Sequence, residues 1–175
     1  NGTPGQLPQA ADRVDSTPEI MHPEEALLSV SELMLDSTSM RQIRSAAHND
    51  ESHIAAAVRA IVSERGKMHN PVTKSGGVLV GVMRRKGDRY DAALSDASDR
   101  VAIGQAVVPI VSVSAVPLRI DEVHGVRGDR VAVSGTAVVF ACQPLCAIPS
   151  DLSLDLTLAA VDISSLVPQV VRVLQ

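Results

Sequence analysis

From residue 101 to residue 140 the sequence reads VAIGQAVVPIVSVSAVPLRIDEVHGVRGDRVAVSGTAVVF. Valine and other β-branched or small residues dominate this stretch, which is typical of β-strands. Within residues 101–116 we expect two strands or one bent strand, because Pro109 lies inside an otherwise continuous apolar run. Further strands are predicted over residues 118–123 and 130–140, with a turn at residues 125–129.

The first half of the sequence mixes strand and helix patterns. Residues 25–35, EALLSVSELML, alternate imperfectly between apolar and polar positions and predict a strand. Asp36 and the hydroxyl residues that follow it offer N-caps for a first helix. A second helix is predicted over residues 50–64, because its apolar positions form one face and Gly66 supplies a C-terminal stop. Another strand is expected over residues 78–83.

The two ends of the chain differ from this β-rich body, which spans residues 25–150. Residues 1–24 are rich in Pro, Gly and acidic residues and predict an arm that lies over the body. Residues 151–175 return to a helical period. Their expected helices run from a cap at Ser150 or Asp151 through Ala160, and from Ser164 or Ser165 through Leu174. The order of elements predicts an α+β fold, with an antiparallel, barrel-like β core and helices at one side.

Composition excludes several classes of protein. The chain has 175 residues, of which 45% are hydrophobic, enough for one packed core. A net charge of −4 and only two aromatic residues, Tyr90 and Phe140, provide no footprint for nucleic acid. A membrane span is not predicted, because the sequence has no apolar run of about 18 residues. Cys142 and Cys146 predict buried, reduced thiols in a cytoplasmic protein rather than a disulfide scaffold or zinc site.

The polar loop of residues 67–77, KMHNPVTKSGG, carries the most concentrated chemistry. His69 is a proton-transfer group, and Gly76 and Gly77 would let a ligand approach the backbone. The sequence has neither GxGxxG nor a Walker pattern, so no dinucleotide or phosphate loop is predicted. The alternative is a solvated loop that caps the neighbouring helix. The loop's other candidate ligand-binding side chains are Asn70, Thr73 and Ser75.

A second polar group lies in the strand predicted after Pro117. Arg119 is suited to a carboxylate, and Asp121 and Glu122 are suited to a cation. The alternative is a strand end with exposed charges.

Several segments resemble the signature of the L-erythro-3,5-diaminohexanoate dehydrogenase family, which acts in lysine fermentation and is a distant relative of the medium-chain dehydrogenases. The resemblance covers about residues 25–175 of this chain. The matching segments are RGKMHNPVT at residues 65–73, SGG at 75–77, Gly81, PLRIDE at 117–122 and LAAVD at 158–162.

The resemblance implies a GroES-like substrate domain, a partly open antiparallel β-barrel over residues 25–150. Residues 151–175 would lead toward a Rossmann half that this chain lacks, and that half, in another chain or a lost segment, would bind NAD or NADP. The implied reaction oxidises the 3-amino group of 3,5-diaminohexanoate, giving 5-amino-3-oxohexanoate and ammonia. Residues 35–38 and 74–77 look like the segments that carry the zinc ligands in zinc-dependent relatives, and neither ligand is kept here. The resemblance therefore implies no zinc. A stand-alone GroES-like module that binds a ligand or a protein without redox activity is the alternative.

The implied chemistry assigns roles to the candidate residues. An ammonium has no lone pair to expel a hydride, so a base must first take its proton. We expect His69 to be that base and Asp36 to assist it. Arg119 would bind the substrate carboxylate, Asp121 or Glu122 the distal ammonium, and Asn70, Thr73 and Ser75 would orient the amine. Apolar residues of the tail also predict a homo- or hetero-oligomer.

Overall fold

The computed structural model describes residues 8, 10–95 and 100–158. Its main element is a six-stranded antiparallel sheet with the strand order β4-β5-β1-β2-β3-β6. Within the described residues β4 and β6 form the two edges and the sheet does not close, which confirms the α+β fold with a partly open, GroES-like β core. The strands are β1 Glu25–Leu35, β2 Gly77–Lys86, β3 Ala106–Pro109, β4 Leu118–Arg127, β5 Arg130–Phe140 and β6 Leu145–Ala147.

Two helices connect β1 to β2: α1, Ser37–Ala46, and α2, Glu51–Arg65. Each begins after an aspartate, Asp36 or Asp50, whose carboxylate accepts the backbone N–H three residues further on. Gly66 ends α2 in the left-handed conformation, with φ 66°, as a C-terminal glycine does. Both helices therefore lie within one or two residues of where their capping residues predicted them.

The main core is aliphatic and lies between the sheet and these helices. Leu28, Leu33 and Leu79 of the sheet are fully buried in it, and the helices contribute Met40 and Ile54. Burying one such side chain stabilises the fold by about 1.5–3 kcal/mol. The alternation of β1 thus places one set of side chains toward the helices.

Residues 101–116 differ from the prediction of two strands or one bent strand, which was wrong. This segment contains one short strand, β3, and then a 3₁₀ helix at Val113–Ala115, which Ser112 caps by accepting the Ser114 N–H at 3.2 Å. Val113 and Val116 are nevertheless fully buried. The apolar run reflects burial rather than strand pairing, and composition does not distinguish the two.

The hairpin that follows is longer than predicted. β4 continues to Arg127, so the turn is at Gly128 and Asp129 rather than across residues 125–129, and Gly128 has φ 59°. The prediction of buried thiols was also wrong, since Cys142 is exposed and Cys146 is half-buried; both are free.

The described part of the tail begins its helix later than predicted. Residues 154–158 are helical, and Ser153, rather than Ser150 or Asp151, accepts the Leu156 N–H at 3.2 Å. Leu158 is buried in a second, smaller apolar cluster with Val80 and Val108. The predicted end of this helix at Ala160 and the second predicted tail helix lie outside the described residues.

Candidate functional site

Asn70 organises the loop that carries His69. Its Oδ1 accepts the backbone N–H groups of Val72 at 2.8 Å and Thr73 at 3.3 Å. Its own N–H donates to the Ser75 carbonyl at 2.9 Å, which closes the loop. The residue is fully buried. The side-chain oxygen of Asn70, predicted to orient a ligand, is thus used within the loop itself.

Three hydroxyl groups join this loop to α1. The Oγ of Ser39 lies 2.7 Å from Thr73 Oγ1 and 2.9 Å from Ser75 Oγ, and the last two oxygens are 2.8 Å apart. Ser39 is fully buried. From the sequence alone, Ser39 is predicted only as one of several candidate helix caps, because its partners lie more than thirty residues away along the chain.

Asp36 lies at the junction of β1 and α1, beside these hydroxyls. Its Oδ1 accepts the Ser39 N–H at 2.9 Å, whereas its Oδ2 is buried without a hydrogen-bond partner. Burial by itself would raise the pKa of Asp36, but the backbone N–H and hydroxyl of Ser39 and the hydroxyl of Ser75 outweigh it and hold that pKa below its usual value. Asp36 is therefore ionised at neutral pH.

His69 is half-buried, and its Nδ1 is buried without a hydrogen-bond partner. Burial is the main reason that the pKa of His69 lies below its usual value of 6.5, and the positive charges of Lys67, Arg65 and Lys74 lower it further. A hydrogen bond between the ring and the Lys74 backbone acts in the opposite direction. The imidazole is therefore mainly neutral at neutral pH, the form in which a histidine accepts a proton.

Asp36 and His69 both lie next to one short segment, Lys74–Ser75. Asp36 is close to the hydroxyl of Ser75, and the His69 ring contacts the backbone of Lys74. In the described part of the chain, five buried side-chain polar atoms have no hydrogen-bond partner, and these two residues supply two of them. Buried polar atoms are nearly always paired, so this pair has unused capacity to bind a ligand.

Gly76 and Gly77 do not make room for a ligand, and that interpretation was wrong. A Cβ on Gly77, which has φ 121°, would lie 2.0 Å from the Met34 carbonyl oxygen. A Cβ on Gly76 would lie 2.6 Å from the Met68 carbonyl oxygen. The space beside both glycines is filled by the chain's own backbone. Gly77 instead lets the start of β2 lie directly against the end of β1, next to Asp36.

The second polar group lies on the exposed side of the edge strand β4. The Nε of Arg119 donates to Asp121 Oδ1 at 2.8 Å, and Glu122 Oε1 lies 3.9 Å from His124 Nδ1. These side chains therefore pair along their own strand rather than with the His69 loop. Arg119 also lines an open cleft of about 600 Å³ between β4 and residues 13–18 of the arm.

Two further findings concern the residues that the structure describes. No three His, Cys, Asp or Glu side chains gather there as metal ligands, and the prediction about zinc stays a prediction. No helix among them is long and apolar enough to cross a bilayer.

An open antiparallel sheet, whose first two strands are joined by a helix pair and a polar histidine loop, defines an α+β domain of GroES-like type. The family described as the L-erythro-3,5-diaminohexanoate dehydrogenase N-terminal domain matches residues 2–149, and the chain belongs to this family. The match begins in the arm, which had been left outside the resemblance.

Two curated relatives match nearly the whole chain. An L-erythro-3,5-diaminohexanoate dehydrogenase of Fusobacterium nucleatum subsp. nucleatum is 37% identical over 173 residues, 98% of this chain and 48% of the relative. The enzyme of the same name from Acetoanaerobium sticklandii is 35% identical over 173 residues, with the same coverage. The chain thus spans about half the length of these relatives.

Proposed function

We propose that this chain is the substrate-binding part of an NAD(P)-dependent dehydrogenase that deaminates L-erythro-3,5-diaminohexanoate to 5-amino-3-oxohexanoate and ammonia, as in lysine fermentation. Family membership and the names of the two relatives support the reaction class. The observation that carries the proposal is the pair of buried atoms without a partner, Asp36 Oδ2 and His69 Nδ1, beside the Lys74–Ser75 segment.

The roles of the two residues follow from their charge states. The 3-ammonium of the substrate must lose a proton before its C3–H bond breaks, and the neutral His69 ring is the proposed acceptor. The ionised Asp36 would hold the nitrogen by accepting a hydrogen bond and would stabilise the positive charge that develops on it. The nicotinamide cofactor supplies the acceptor of the C3 hydride. His69 then gives its first proton to solvent, and water adds to the iminium carbon while passing a proton to His69. His69 returns that proton to the nitrogen, the C3–N bond breaks to release ammonia, and the C3 hydroxyl loses its proton to His69 as the ketone forms.

The cofactor site itself is proposed to lie outside this chain. The sequence contains no glycine-rich dinucleotide fingerprint, so its residues do not fit a nicotinamide dinucleotide by themselves. A Rossmann-type domain, in another chain or in a segment beyond this sequence, would bind NAD or NADP. We propose that the complete enzyme is a homo- or hetero-oligomer. The two free cysteines agree with the reducing, cytoplasmic setting that the proposal assumes.

Side chains of β4 are proposed to bind the carboxylate and the distal ammonium of the substrate. Arg119 is the proposed ligand of the carboxylate, because it lines the open cleft beside the arm and a guanidinium binds carboxylates in a planar, two-pronged manner. Asp121 or Glu122 is the proposed partner of the distal ammonium. Thr73 and Ser75 would orient the amine beside Asp36, while Asn70 would act through the shape of the loop.

Replacement of His69 tests the proposal in the enzyme assembled with its nucleotide-binding part. His69→Gln should lower kcat by about a hundredfold or more, because general acid–base groups usually contribute at least that much. His53→Gln is the matched control, since His53 is an exposed histidine of α2. A loss within about tenfold for His69→Gln would exclude its role as the base. Binding of the diamine to the chain, without turnover in the assembled enzyme, would favour the stand-alone binding module.

A further inference from the structure

The N-terminal arm is attached to the segment that leads into His69. The backbone N–H of Val14 donates to the Arg65 carbonyl at 2.9 Å. The next residue, Gly66, has φ 66°, and a Cβ there would lie 2.1 Å from the Val14 carbonyl oxygen. The arm can therefore lie this close only because residue 66 has no side chain.

The arm also covers Lys67, whose side chain is fully buried. Its Nζ donates to the Pro8 carbonyl at 2.5 Å. Burial lowers the pKa of Lys67 and Arg65 lowers it further, whereas Asp12 of the arm raises it. Lysines are almost never fully buried unless they are paired. Here the arm contributes both a carbonyl acceptor and a carboxylate to this buried ammonium.

We propose that Lys67 is a positioning residue for His69, and that the arm holds Lys67 in that role. The buried ammonium of Lys67 lies two residues before His69 in the same segment. Its positive charge adds to the effect of burial in lowering the pKa of His69, as do the charges of Arg65 and Lys74. The inference rests on the proposed function of His69, because a base must be unprotonated when substrate binds.

The burial of Lys67 is what makes its charge effective. A solvated ammonium is screened by water and salt, as the exposed Lys74 is. A cation held out of water acts through a lower dielectric and disfavours the imidazolium more strongly. The arm, by excluding water from Lys67, therefore keeps His69 in its neutral form over a wider range of pH.

Titration of the His69 ring by NMR tests this directly and needs no activity. The Cε1–H signal is assigned by its loss in His69→Gln, and its midpoint is compared between wild type and Lys67→Met, which keeps the length of the buried side chain. We expect the midpoint to move to higher pH in Lys67→Met, and to move less in the control Lys74→Met. An unchanged midpoint in Lys67→Met, or a shift no larger than that of the control, would overturn the proposal.

The effect of the arm on His69 is tested by replacing each of two glycines, Gly66 and Gly128, with alanine. Gly66→Ala places a Cβ against Val14, whereas Gly128→Ala imposes a similar left-handed strain, at φ 59°, with nothing within 4 Å. Gly66→Ala should lower the exchange protection of the Val14 amide by about tenfold or more, and should also raise the His69 midpoint. Gly128→Ala should do neither. Loss of Val14 protection with an unchanged His69 midpoint would show that the arm does not act on His69.

The pH profiles of kcat/KM in the assembled enzyme distinguish a failure of this inference from a failure of the proposed function. If both hold, the acid limb of the kcat/KM profile moves to higher pH in Lys67→Met and disappears in His69→Gln. If the NMR midpoint moves but the acid limb persists in His69→Gln, Lys67 still tunes His69 and His69 is not the base. If His69→Gln removes the limb while Lys67→Met leaves both the limb and the midpoint unchanged, the inference fails and the proposed function stands.

Discussion

Nδ2 of Asn70 donates to Oε1 of Gln42 at 3.0 Å, and this contact ties the His69 loop to helix α1. The side-chain oxygen of Asn70 accepts two backbone N–H groups of its own loop. One buried amide therefore determines both the shape of the loop and its position. Because Asp36 precedes α1 and His69 precedes Asn70, the same contact helps to set where the two proposed catalytic groups lie.

Asn70→Ala should lower the free energy of unfolding by about 1–3 kcal/mol, because it removes a fully buried amide and the acceptor of two partly buried backbone N–H groups. Gln42→Ala is the control, since it removes the contact between loop and helix but leaves the loop's own hydrogen bonds in place. Urea unfolding of both variants measures the difference. An equal loss in the two would mean that the hydrogen bonds within the loop contribute little.

Replacements of Asp36 separate its two roles. Asp36→Ala removes the N-cap of α1 and should cost about 1 kcal/mol, whereas Asp36→Asn keeps a capping oxygen and loses the charge. Both should lower kcat in the assembled enzyme if the carboxylate holds the substrate nitrogen. Normal turnover in Asp36→Asn would show that Asp36 serves only as a cap.

The difference in stability between wild type and Asp36→Asn should depend on pH. The pKa of Asp36 in the fold lies below its usual 3.8, so ionisation favours the folded state. That stabilisation is fully present above the unfolded value and is lost as the pH falls through the folded value. Wild type should therefore lose more stability than Asp36→Asn on acidification across this range, as measured by thermal unfolding. Parallel curves would contradict the assigned hydrogen bonds to the carboxylate.

Gly77→Ala should destabilise the fold by about 4 kcal/mol or more, a loss that only a few mechanisms produce. Its Cβ would overlap the Met34 carbonyl, and its φ of 121° is strained for alanine. Gly104→Ala is the matched control, because Gly104 has φ 86° and open space around it; the expected cost is about 1–2 kcal/mol. Similar losses in the two variants would show that β1 yields easily at this point.

Local signals explain which parts of the fold could be predicted from the sequence. α2 has a capping aspartate, one apolar face and a terminal glycine, and its predicted range of 50–64 differs by one residue at each end from Glu51–Arg65. Residues 101–116 lack such signals. Their valines are buried by contacts from elsewhere in the chain, so a β-branched composition did not show where strand pairing ends.

The same distinction applies to the candidate site. His69 stood out because histidine, hydroxyl and amide groups cluster within a few residues of sequence. The burial of Lys67 depends on Pro8, 59 positions away, and that of Ser39 on partners more than thirty positions away. Local sequence patterns do not predict partners so far away along the chain. The sequence therefore predicted the loop but not the groups that position it.

Arg130, the first residue of β5, forms two ion pairs that contribute unequally to stability. Its guanidinium lies 3.3 Å from Glu32 Oε1, in a carboxylate that is 20% exposed, and 2.5 Å from Asp155 Oδ1, in one that is 81% exposed. An exposed pair contributes at most about 1 kcal/mol, because water screens it and both side chains lose freedom. A mostly buried carboxylate that loses its cation retains its desolvation cost.

Arg130→Met should therefore lower the free energy of unfolding by about 1–3 kcal/mol through Glu32, whereas Asp155→Asn should cost about 0.5 kcal/mol or less. The double variant Glu32→Gln with Arg130→Met should recover part of the loss, because the uncompensated charge is gone. Urea unfolding of wild type, the single variants Glu32→Gln and Arg130→Met, and their double variant gives the coupling energy between the two side chains. If Asp155→Asn proves as costly as Arg130→Met, the stabilising contact of Arg130 is the one that holds residues 154–158 against the sheet.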